Sequence, residues 1–347
     1  MITFENVVKT YPDGTRAVDD VSLECTGGRI TVFVGPSGCG KTTSLRMINR
    51  SIEPSSGRVL LNGKDVREES LTDLRRGIGY VIQSAGLFPH RTVIDNITTV
   101  PRLLGTPRKQ ARSRAGDLME LVGLAPVLAN RYPYQLSGGQ QQRVGVARAL
   151  AADPPVLLMD EPFAAVDPVV RHDLQQEFLR VQRELAKTIV FVTHDIDEAV
   201  LLGDKIAIFQ QGGTLAQFDT PQALLTTPAN DFVASFLGAG RGLRSLQFVG
   251  VGDLKLDTFD VVAESELADT DGWTLVVDDQ RRPRGWVNRG TGPNHPADPI
   301  ELETTNLRQA LDRALLSPAK RVPVCDADGR VLGTLGIGEI VTAMDAG

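Results

Sequence analysis

The chain has 347 residues, of which 41% are hydrophobic and 23% are charged, and its formal net charge is −6 at neutral pH. This composition is typical of a soluble globular protein of about two domains, and no apolar run approaches the ~18 residues of a membrane-spanning helix. Residues 1–240 hold 25 Lys and Arg against 26 Asp and Glu, a balance that does not indicate nucleic-acid binding. The first residues lack signal-peptide features and the three cysteines are unpatterned, so we expect the cytosol as the compartment.

Short apolar runs alternate with amphipathic stretches in the first part of the chain, which predicts an α/β domain. A strand is predicted over Ile30–Val34 and a helix over Lys41–Asn49. The loop between them fits the phosphate-binding pattern G-x-x-x-x-G-K-[ST], with the residues Gly35, Pro36, Ser37, Gly38, Cys39, Gly40, Lys41, Thr42 and Thr43. We expect Lys41 to reach the β- and γ-phosphates of a nucleotide and the Thr42 hydroxyl to bind Mg²⁺. An accidental Gly-rich turn is the alternative, and the strand–loop–helix context disfavours it.

Residues 100–135 are predicted to form a helical, less regular subdomain, and a second Gly-rich turn, Leu136-Ser137-Gly138-Gly139-Gln140, opens the next helix. A buried strand over Val156–Met159 then leads into Asp160-Glu161. The carboxyl end of a parallel strand is where ligand sites form in α/β proteins. Asp160 is therefore positioned to hold Mg²⁺, and Glu161 is the candidate general base that orients the attacking water. An acidic turn cap is the plainer interpretation of such a pair.

Asp167-Pro168 predicts the start of a helix that ends near Ala186, and Ile189–Val192 predicts a further buried strand. His194 follows that strand. A lone histidine is more often a packed or surface residue than a catalytic one, and His90, His172 and His295 are interpreted in that way.

A chain that carries this phosphate loop, then the Ser-Gly-Gly turn and then the Asp-Glu pair resembles the nucleotide-binding subunit of an ATP-binding-cassette (ABC) transporter. The resemblance implies that His194 contacts the γ-phosphate, that Gln83 senses Mg²⁺ and the attacking water, and that Tyr11 stacks on adenine. A polar residue at a strand end and a surface tyrosine are the plainer interpretations of the last two.

In that family the signature residues, here Ser137, Gly139 and Gln140, bind the γ-phosphate of an ATP held by the phosphate loop of a second subunit. This chain has one loop and one signature, so two complete sites require two chains and a homodimer is implied. Asp167 would lie in the segment that communicates across the dimer.

The spacing of 102 residues between Gly35 and Ser137, with no heptad run, favours a transporter over the cassettes that act on DNA. Met47-Ile48-Asn49-Arg50 and Gly86-Leu87-Phe88-Pro89-His90 resemble the glycine betaine/carnitine/choline importers. The resemblance implies ATP and Mg²⁺ as cofactors and a separate membrane permease, with a substrate-binding protein acting indirectly. It also implies a peripheral position on the cytoplasmic face of the membrane, with no nucleic-acid partner. Uptake of another small solute, or a non-transport cassette that remodels protein or nucleic acid, remains the alternative.

The last hundred residues differ in charge from the rest, with 12 Lys and Arg against 17 Asp and Glu over 241–347. Gly238–Gly242 is predicted to be a linker, which gives domains at 1–240 and 246–347. Val276–Val287 matches Val324–Leu335 at an offset of 48 residues, each as strand, turn and strand. A helical pattern precedes the second copy, and a closing helix is predicted near Glu339–Met344.

This arrangement resembles a cystathionine-β-synthase-type (CBS) module whose first copy is degenerate. The fold class expected for the chain is therefore an α/β P-loop cassette with a helical subdomain, followed by a smaller α+β CBS-type pair. CBS pairs often bind adenosine nucleotides through a Thr or Ser and an Asp that follow the second strand. The corresponding residues here are Asn288 and Thr291 in the first copy and Gly336 and Glu339 in the second, which do not match that pattern. Ionic-strength sensing through a basic cluster is an alternative, and a solvated turn is the plainer interpretation of that cluster, which comprises Arg281, Arg282 and Arg284.

Overall fold

A computed structural model describes residues 1–82, 86–164, 166–254, 256–257, 261–263, 272–288 and 295–345. Contacts divide the chain into two compact units, Met1–Phe236 and Leu237–Gly347. Each unit has its own apolar core.

The first unit is an α/β structure. Its strands are β1 Ile2–Thr10, β2 Arg16–Cys25, β3 Ile30–Val34, β4 Ser56–Leu61, β5 Lys64–Asp65, β6 Ile78–Val81, β7 Val156–Asp160, β8 Thr188–Val192, β9 Lys205–Phe209 and β10 Leu215–Asp219. Its helices are α1 Lys41–Ile48, α2 Leu71–Arg76, α3 Val93–Ile97, α4 Thr99–Leu103, α5 Arg108–Leu121, α6 Gly138–Leu150, α7 Pro168–Leu185, α8 Ile196–Leu202, α9 Pro221–Thr226 and α10 Asp231–Leu237, which runs one residue past the boundary.

The described residues of this unit form two sheets. One is antiparallel, in the order β2-β1-β4-β5, and the other has the order β10-β9-β3-β8-β7-β6. In the second sheet β3, β6, β7, β8 and β9 are parallel, and only β10 runs antiparallel to its neighbour. Because β3, β8 and β7 are adjacent and parallel, their carboxyl ends meet at the same edge, where the residues that follow them come together.

The three central strands are buried on both faces, which explains why their sequences are continuous apolar runs rather than alternating ones. Helix α1 packs between the two sheets through Leu45, Met47 and Ile48, which share one apolar cluster with Phe4 and Phe33. The predicted strand over Ile30–Val34 has the observed bounds, and the predicted helix at Lys41 ends one residue earlier than expected, with Asn49 as its C-cap. The core thereby fixes both sides of the phosphate loop.

The region over 100–135, predicted to be helical and less regular, contains both α-helix and 3₁₀ turns. Helix α5 is regular, but residues 126–130 and 133–135 form short 3₁₀ turns. Pro126 and Pro133 begin these turns, and proline cannot continue an α-helix because it lacks a backbone N–H donor. The chain therefore reaches Ser137 in a non-helical conformation and starts a new helix there.

Where the structure describes it, the second unit contains two small sheets with the same strand arrangement. Its strands are β11 Val261–Ala263, β12 Trp273–Val277, β13 Pro283–Asn288, β14 Ile300–Glu301, β15 Arg321–Cys325 and β16 Val331–Gly336, and its helices are α11 Arg241–Ser245, α12 Leu307–Leu316 and α13 Ile337–Asp345. In each sheet a parallel strand precedes an antiparallel hairpin, β11-β12-β13 in the first and β14-β15-β16 in the second.

The two hairpins share the same turn, in agreement with the 48-residue repeat. Asp278 Oδ1 accepts hydrogen bonds from the backbone N–H groups of Gln280 and Arg282, at 3.0 and 2.9 Å. Asp326 Oδ1 accepts the corresponding bonds at 3.0 and 2.8 Å. The hairpins are also joined to each other, because the Val331 N–H donates to the Arg281 carbonyl at 2.9 Å. The repeat is thus visible in the hydrogen bonds as well as in the strands.

The predicted linker, Gly238–Gly242, begins directly after α10 and includes the start of α11. Gly238 follows the last residue of α10 and has φ +74°. Glycine adopts this left-handed conformation without steric cost, which is why it commonly ends helices. The chain then enters α11, and the Arg244 guanidinium donates to the Leu237 carbonyl at 2.7 Å. The contacts assign residues 237–245 to the second unit, and the predicted boundary was near residue 240.

Candidate nucleotide site

The phosphate loop runs from the end of β3 to the start of α1 and encloses its own lysine. Lys41 is 6% exposed, and its Nζ donates to the carbonyls of Gly35 and Pro36 at 2.8 and 2.9 Å. The Cys39 Sγ lies 3.6 Å from the same Nζ. Burial raises the pKa of the Cys39 thiol, although the nearby Lys41 opposes that effect. The loop therefore presents one fixed ammonium group beside its backbone.

Two glycines in this loop are required by close backbone contacts. Gly40 caps α1 with φ +95°, and a Cβ there would lie 2.1 Å from the Ala17 carbonyl oxygen. A Cβ on Gly35 would lie 2.2 Å from the Phe209 carbonyl oxygen. Larger residues at either position would push the loop off the strands that support it.

Thr42 and Asp160 join the loop to the neighbouring strand. The Thr42 hydroxyl donates to Asp160 Oδ1 at 2.8 Å, and Arg46 lies 3.6 Å from Oδ2 of the same carboxylate. Asp160 is the last residue of β7 and is 5% exposed. A hydroxyl and a carboxylate at this distance supply the oxygen ligands that Mg²⁺ prefers. The donor set therefore fits that ion.

Glu161 and His194 come from adjacent strand ends and contact each other. His194 Nδ1 lies 3.2 Å from Glu161 Oε2, with the histidine side chain 61% exposed and the glutamate side chain 21% exposed. Glu161 has φ +47°, a left-handed conformation that is uncommon for residues other than glycine. Its backbone N–H donates to the Val192 carbonyl at 3.0 Å, which holds this turn against β8. Such strain often marks a functional position.

An open cavity of about 850 Å³ connects these groups. Glu161 and His194 line it, together with most of the predicted phosphate-binding residues. These are Ser37, Gly38, Cys39, Gly40, Lys41, Thr42 and Thr43. The site thus combines backbone N–H groups, an ammonium group, a carboxylate and an imidazole around one space that is large enough for a nucleotide's phosphates.

The signature residues are not among the described residues that line this cavity. Ser137 is the N-cap of α6: it accepts from the Gln140 N–H at 3.3 Å, and its own N–H donates to Gln140 Oε1 at 3.0 Å. This capping box fixes the helix start, while Ser137 and Gly138 stay exposed. Gly139 is half-buried in the first turn. The exposed turn is therefore free to meet a surface other than this chain's own cavity.

Of the remaining predicted residues, the structure describes Tyr11 and Asp167. Tyr11 follows β1 and is half-buried, with Lys9 Nζ 5.3 Å from the centre of its ring, and it is not among the described residues of the cavity wall. Asp167 is exposed at the start of α7, and its carbonyl accepts from the Arg171 N–H at 2.8 Å. Gln83 and Thr291 lie outside the described residues.

Two residues of the site were not predicted from the sequence. Ala17, on β2, lines the cavity, and Arg46 contacts Asp160. Arg46 is four residues after Thr42 on α1, and residues at this spacing share a helix face, so the helical period could have indicated it. Ala17 carries no such signal, because it reaches the site only through the packing of the antiparallel sheet against the loop.

The sequence matches the family model described as ABC transporter over residues 18–164. The chain is 43% identical over 371 residues to the osmoprotectant import ATP-binding protein OsmV of Salmonella typhimurium, covering 100% of this chain and 97% of that protein. The chain belongs to the ABC transporter family of ATP-binding proteins.

Other relatives of this ABC protein have the same kind of name. The choline transport ATP-binding protein OpuBA of Bacillus subtilis is 43% identical, with 96% of this chain and 93% of that protein covered. The carnitine transport ATP-binding protein OpuCA of Listeria monocytogenes is 44% identical, with coverage of 96% and 89%. The predicted resemblance to the osmoprotectant-importer group is therefore confirmed.

Solved structures agree on the cassette fold. The dimeric ATP-binding cassette MJ0796, in a post-hydrolysis state with ADP and Pi, matches with a TM-score of 0.58 and 34% identity, covering 64% of this chain and 99% of that one. CbiO1 of Clostridium perfringens matches with a TM-score of 0.61 and 28% identity, covering 66% and 91%. The chain is thus an ATPase with a P-loop cassette fold. Among the described residues, no helix has the length and apolarity to cross a membrane.

Proposed function

We propose that this ABC protein energises the uptake of a quaternary ammonium osmoprotectant through a separate permease. The observation that carries the ATPase part is the Thr42–Asp160 hydrogen bond, beside the contact between Glu161 and His194. The solute is inferred from relatives whose names specify osmoprotectants, choline and carnitine and which match over almost the whole chain.

In this proposal each group around the cavity has one task. The phosphate loop holds the β- and γ-phosphates with its N–H groups and with the Lys41 ammonium. Glu161 orients and deprotonates the attacking water, a role worth on the order of 10²–10⁴ in rate. His194, whose Nδ1 contacts the Glu161 carboxylate, keeps that side chain in place and contributes at the γ-phosphate. Gln83 and Tyr11 keep their expected roles beside the water and the adenine.

Thr42 and Asp160 would hold Mg²⁺. When bound, the ion would neutralise charge that develops on the phosphate oxygens. Arg46, 3.6 Å from Asp160 Oδ2, orients the carboxylate from its other side. The deeply buried position of Asp160 at a strand end makes this orientation rigid.

The site is completed by a second copy of this chain. Ser137, Gly139 and Gln140 lie at a helix start where Ser137 is exposed and the other two are half-buried. The described wall of the cavity instead comes from the phosphate loop, from Ala17 and from the residues after β7 and β8. The exposed signature of one chain would therefore close the cavity of its partner, with Asp167 at the contact. ATP bound between the two chains stabilises the dimer, and hydrolysis releases it.

The same proposal places the protein at the cytoplasmic face of the membrane, bound to a permease and served indirectly by a substrate-binding protein. The test is ATP-driven uptake of radiolabelled glycine betaine by vesicles that contain this chain, its permease and its binding protein. Uptake that requires ATP and is lost in Glu161→Gln supports the proposal. Normal ATP turnover with uptake of a different solute would leave the ATPase role and overturn the osmoprotectant assignment.

For residues 246–347 we propose a regulatory CBS-type pair that does not bind a nucleotide in its second copy. Arg321 pairs with Asp257 at 2.8 Å and with Glu339 at 3.4 Å, so ion pairs fill the position beside Gly336. Arg284 likewise pairs with Asp278 at 3.4 Å, which favours a solvated turn over a membrane-docking cluster. Unchanged salt dependence of uptake after deletion of 246–347 would exclude a sensor role.

A further inference from the structure

Two tyrosine rings stack on the surface of the first unit, directly before the helix start that holds the signature residues. The ring centres of Tyr132 and Tyr134 are 5.8 Å apart, and their planes differ by 10°. Tyr134 is 77% exposed, more than any other Phe, Tyr or Trp among the described residues, and Tyr132 is 37% exposed. Aromatic rings contribute most when they are buried, and parallel rings stack readily on a further flat ring. The exposed pair is therefore a surface that suits a planar partner.

The turn that carries these rings is fixed against the start of α6. Gln141 of α6 donates from Nε2 to the carbonyls of Pro133 and Leu136, at 3.1 and 3.3 Å. Gln135 Oε1 accepts from the Tyr132 N–H at 2.9 Å, and Pro133 is buried. The two rings consequently keep a defined position relative to the signature residues.

The nucleotide cavity, by contrast, offers little for a base to stack on. Among the described residues, no Phe, Tyr or Trp lines it. Tyr11, the residue expected to stack on adenine, is half-buried, and Lys9 Nζ lies over its ring at 5.3 Å from the centre. The ammonium group occupies one face of that ring and leaves at most the other face for a base. A base held there would present its own second face to whatever closes the cavity.

The spacing along the chain lets the exposed rings reach such a base. In the proposed dimer, on which this inference rests, Ser137 contacts the γ-phosphate of an ATP held by the partner chain. Tyr134 is three residues before Ser137, a span of at most about 10 Å, and its side chain extends that reach. An extended ATP molecule has a similar length from its γ-phosphate to its base. Contact of Ser137 with one end of the nucleotide is thus compatible with contact of Tyr134 with the other.

We propose that the Tyr134 ring of each chain stacks on the purine base of the ATP that its partner holds. The base then lies between Tyr11 of the chain that binds the phosphates and the partner's Tyr134. Tyr132 supports the Tyr134 ring from behind. Because this stack forms only between two chains, it makes the stability of the dimer depend on the base as well as on the γ-phosphate.

The test uses the full-length Glu161→Gln protein, with light scattering in ATP to measure dissociation of the dimer. In parallel, the triphosphate of 2-aminopurine riboside reports on the base, because its fluorescence is quenched when the base stacks on an aromatic ring. We expect quenching to increase as the dimer forms. Adding Tyr134→Leu should raise the dissociation constant of the dimer at least about tenfold and abolish that increase. Tyr134→Phe keeps a ring and should match the parent protein in both measurements.

The outcomes separate this proposal from the proposed function. A dimer of parental stability and quenching in the Tyr134→Leu protein would overturn the base contact while leaving the dimer in place. If that variant also lost solute uptake, the rings would be assigned to the permease instead. A parent protein that stays monomeric in ATP would overturn the dimer and the stack together.

ADP binding by the dilute chain is the matched control. Tyr134→Leu should leave this affinity unchanged, because the stack requires a second chain. A weaker affinity for ADP, with the circular dichroism melting curve unchanged, would place Tyr134 at the chain's own site and contradict the proposal.

Discussion

The Thr42 hydroxyl donates a 2.8 Å hydrogen bond to Asp160 Oδ1, although the two residues are 118 positions apart in the chain. The bond links the first turn of α1 to the end of β7, and so joins the phosphate loop to the strand end that precedes Glu161. Arg46, one turn further along α1, contacts the other carboxylate oxygen at 3.6 Å. One helix thus holds both oxygens of the carboxylate that we assign to Mg²⁺.

Thr42→Val should remove this bond while keeping the shape of the side chain. The Asp160 carboxylate, whose side chain is 8% exposed, would lose its donor, which costs about 1–3 kcal/mol of stability. We also expect ATP turnover to fall by at least about tenfold, because one proposed Mg²⁺ ligand is lost. Steady-state ATPase assays across a Mg²⁺ series test this. Thr42→Ser, which keeps the hydroxyl, is the matched control, and equal turnover in the two variants would contradict the assignment.

Gly40→Ala and Gly38→Ala separate steric contact from backbone strain in the same loop. Both glycines have positive φ, +95° and +79°, but a Cβ on Gly40 would lie 2.1 Å from the Ala17 carbonyl oxygen, whereas nothing lies within 4 Å of one on Gly38. We expect Gly38→Ala to cost about 1–2 kcal/mol through strain alone. Gly40→Ala should cost at least about 3 kcal/mol because strain and overlap add. Urea unfolding without nucleotide measures both; similar costs would mean that the overlap relaxes.

Glu198 should make stability depend on pH. Burial raises the pKa of its carboxyl above the usual 4.5, while Gln175, which donates to it at 3.0 Å, opposes the shift. The folded chain therefore holds this proton more tightly than the unfolded chain does, and its contribution to stability falls as pH rises through the interval above 4.5. Glu198→Gln keeps an acceptor for Gln175 and removes the charge. We expect it to be more stable than wild type at neutral pH, with the difference shrinking toward pH 4.5. Urea midpoints across a pH series measure this, and a constant difference would refute the account.

Arg281 and Gly329 occupy the same place in the two repeated turns, with φ +60° and +80°. Arginine has a cost in this left-handed conformation that glycine does not have. Arg281→Gly should therefore stabilise the protein by about 0.5–1 kcal/mol, after allowing for the entropy of glycine in the unfolded chain. Gly329→Ala should destabilise it by about 1 kcal/mol, since no atom lies within 4 Å of the new Cβ and only the backbone conformation matters. Thermal unfolding measures both changes, and effects of the same sign would contradict the equivalence of the turns.

Much of the cassette could be predicted because its signals are local. Apolar runs identify β3, β7 and β8. Lys41 is found from the phosphate-loop pattern that follows β3, and Glu161 from its position directly after the run that forms β7. The left-handed conformation of Glu161 could not be predicted, because it depends on the contact of its N–H group with Val192 on another strand.

The three-dimensional structure also contains contacts that the sequence does not indicate. Nothing near Ala17 in the sequence indicates that the antiparallel sheet brings it to the phosphate loop. The ring of Tyr11 has an ammonium group, from Lys9, near its face, a contact across one residue that a pattern of apolar positions does not reveal. The predicted linker contains a helix because Gly238 ends α10 and lets Arg244 reach back to the Leu237 carbonyl.

The central claim is that two chains complete each other's sites, and the mass of the Glu161→Gln protein in ATP tests it most directly. Slow hydrolysis should let ATP accumulate between the exposed Ser137 turn of one chain and the cavity of its partner. Light scattering should then give a dimer with ATP and a monomer without it. The added substitution Ser137→Arg should restore the monomer in ATP, with thermal unfolding as the check on folding. A Glu161→Gln protein that binds ATP and stays monomeric would contradict the account.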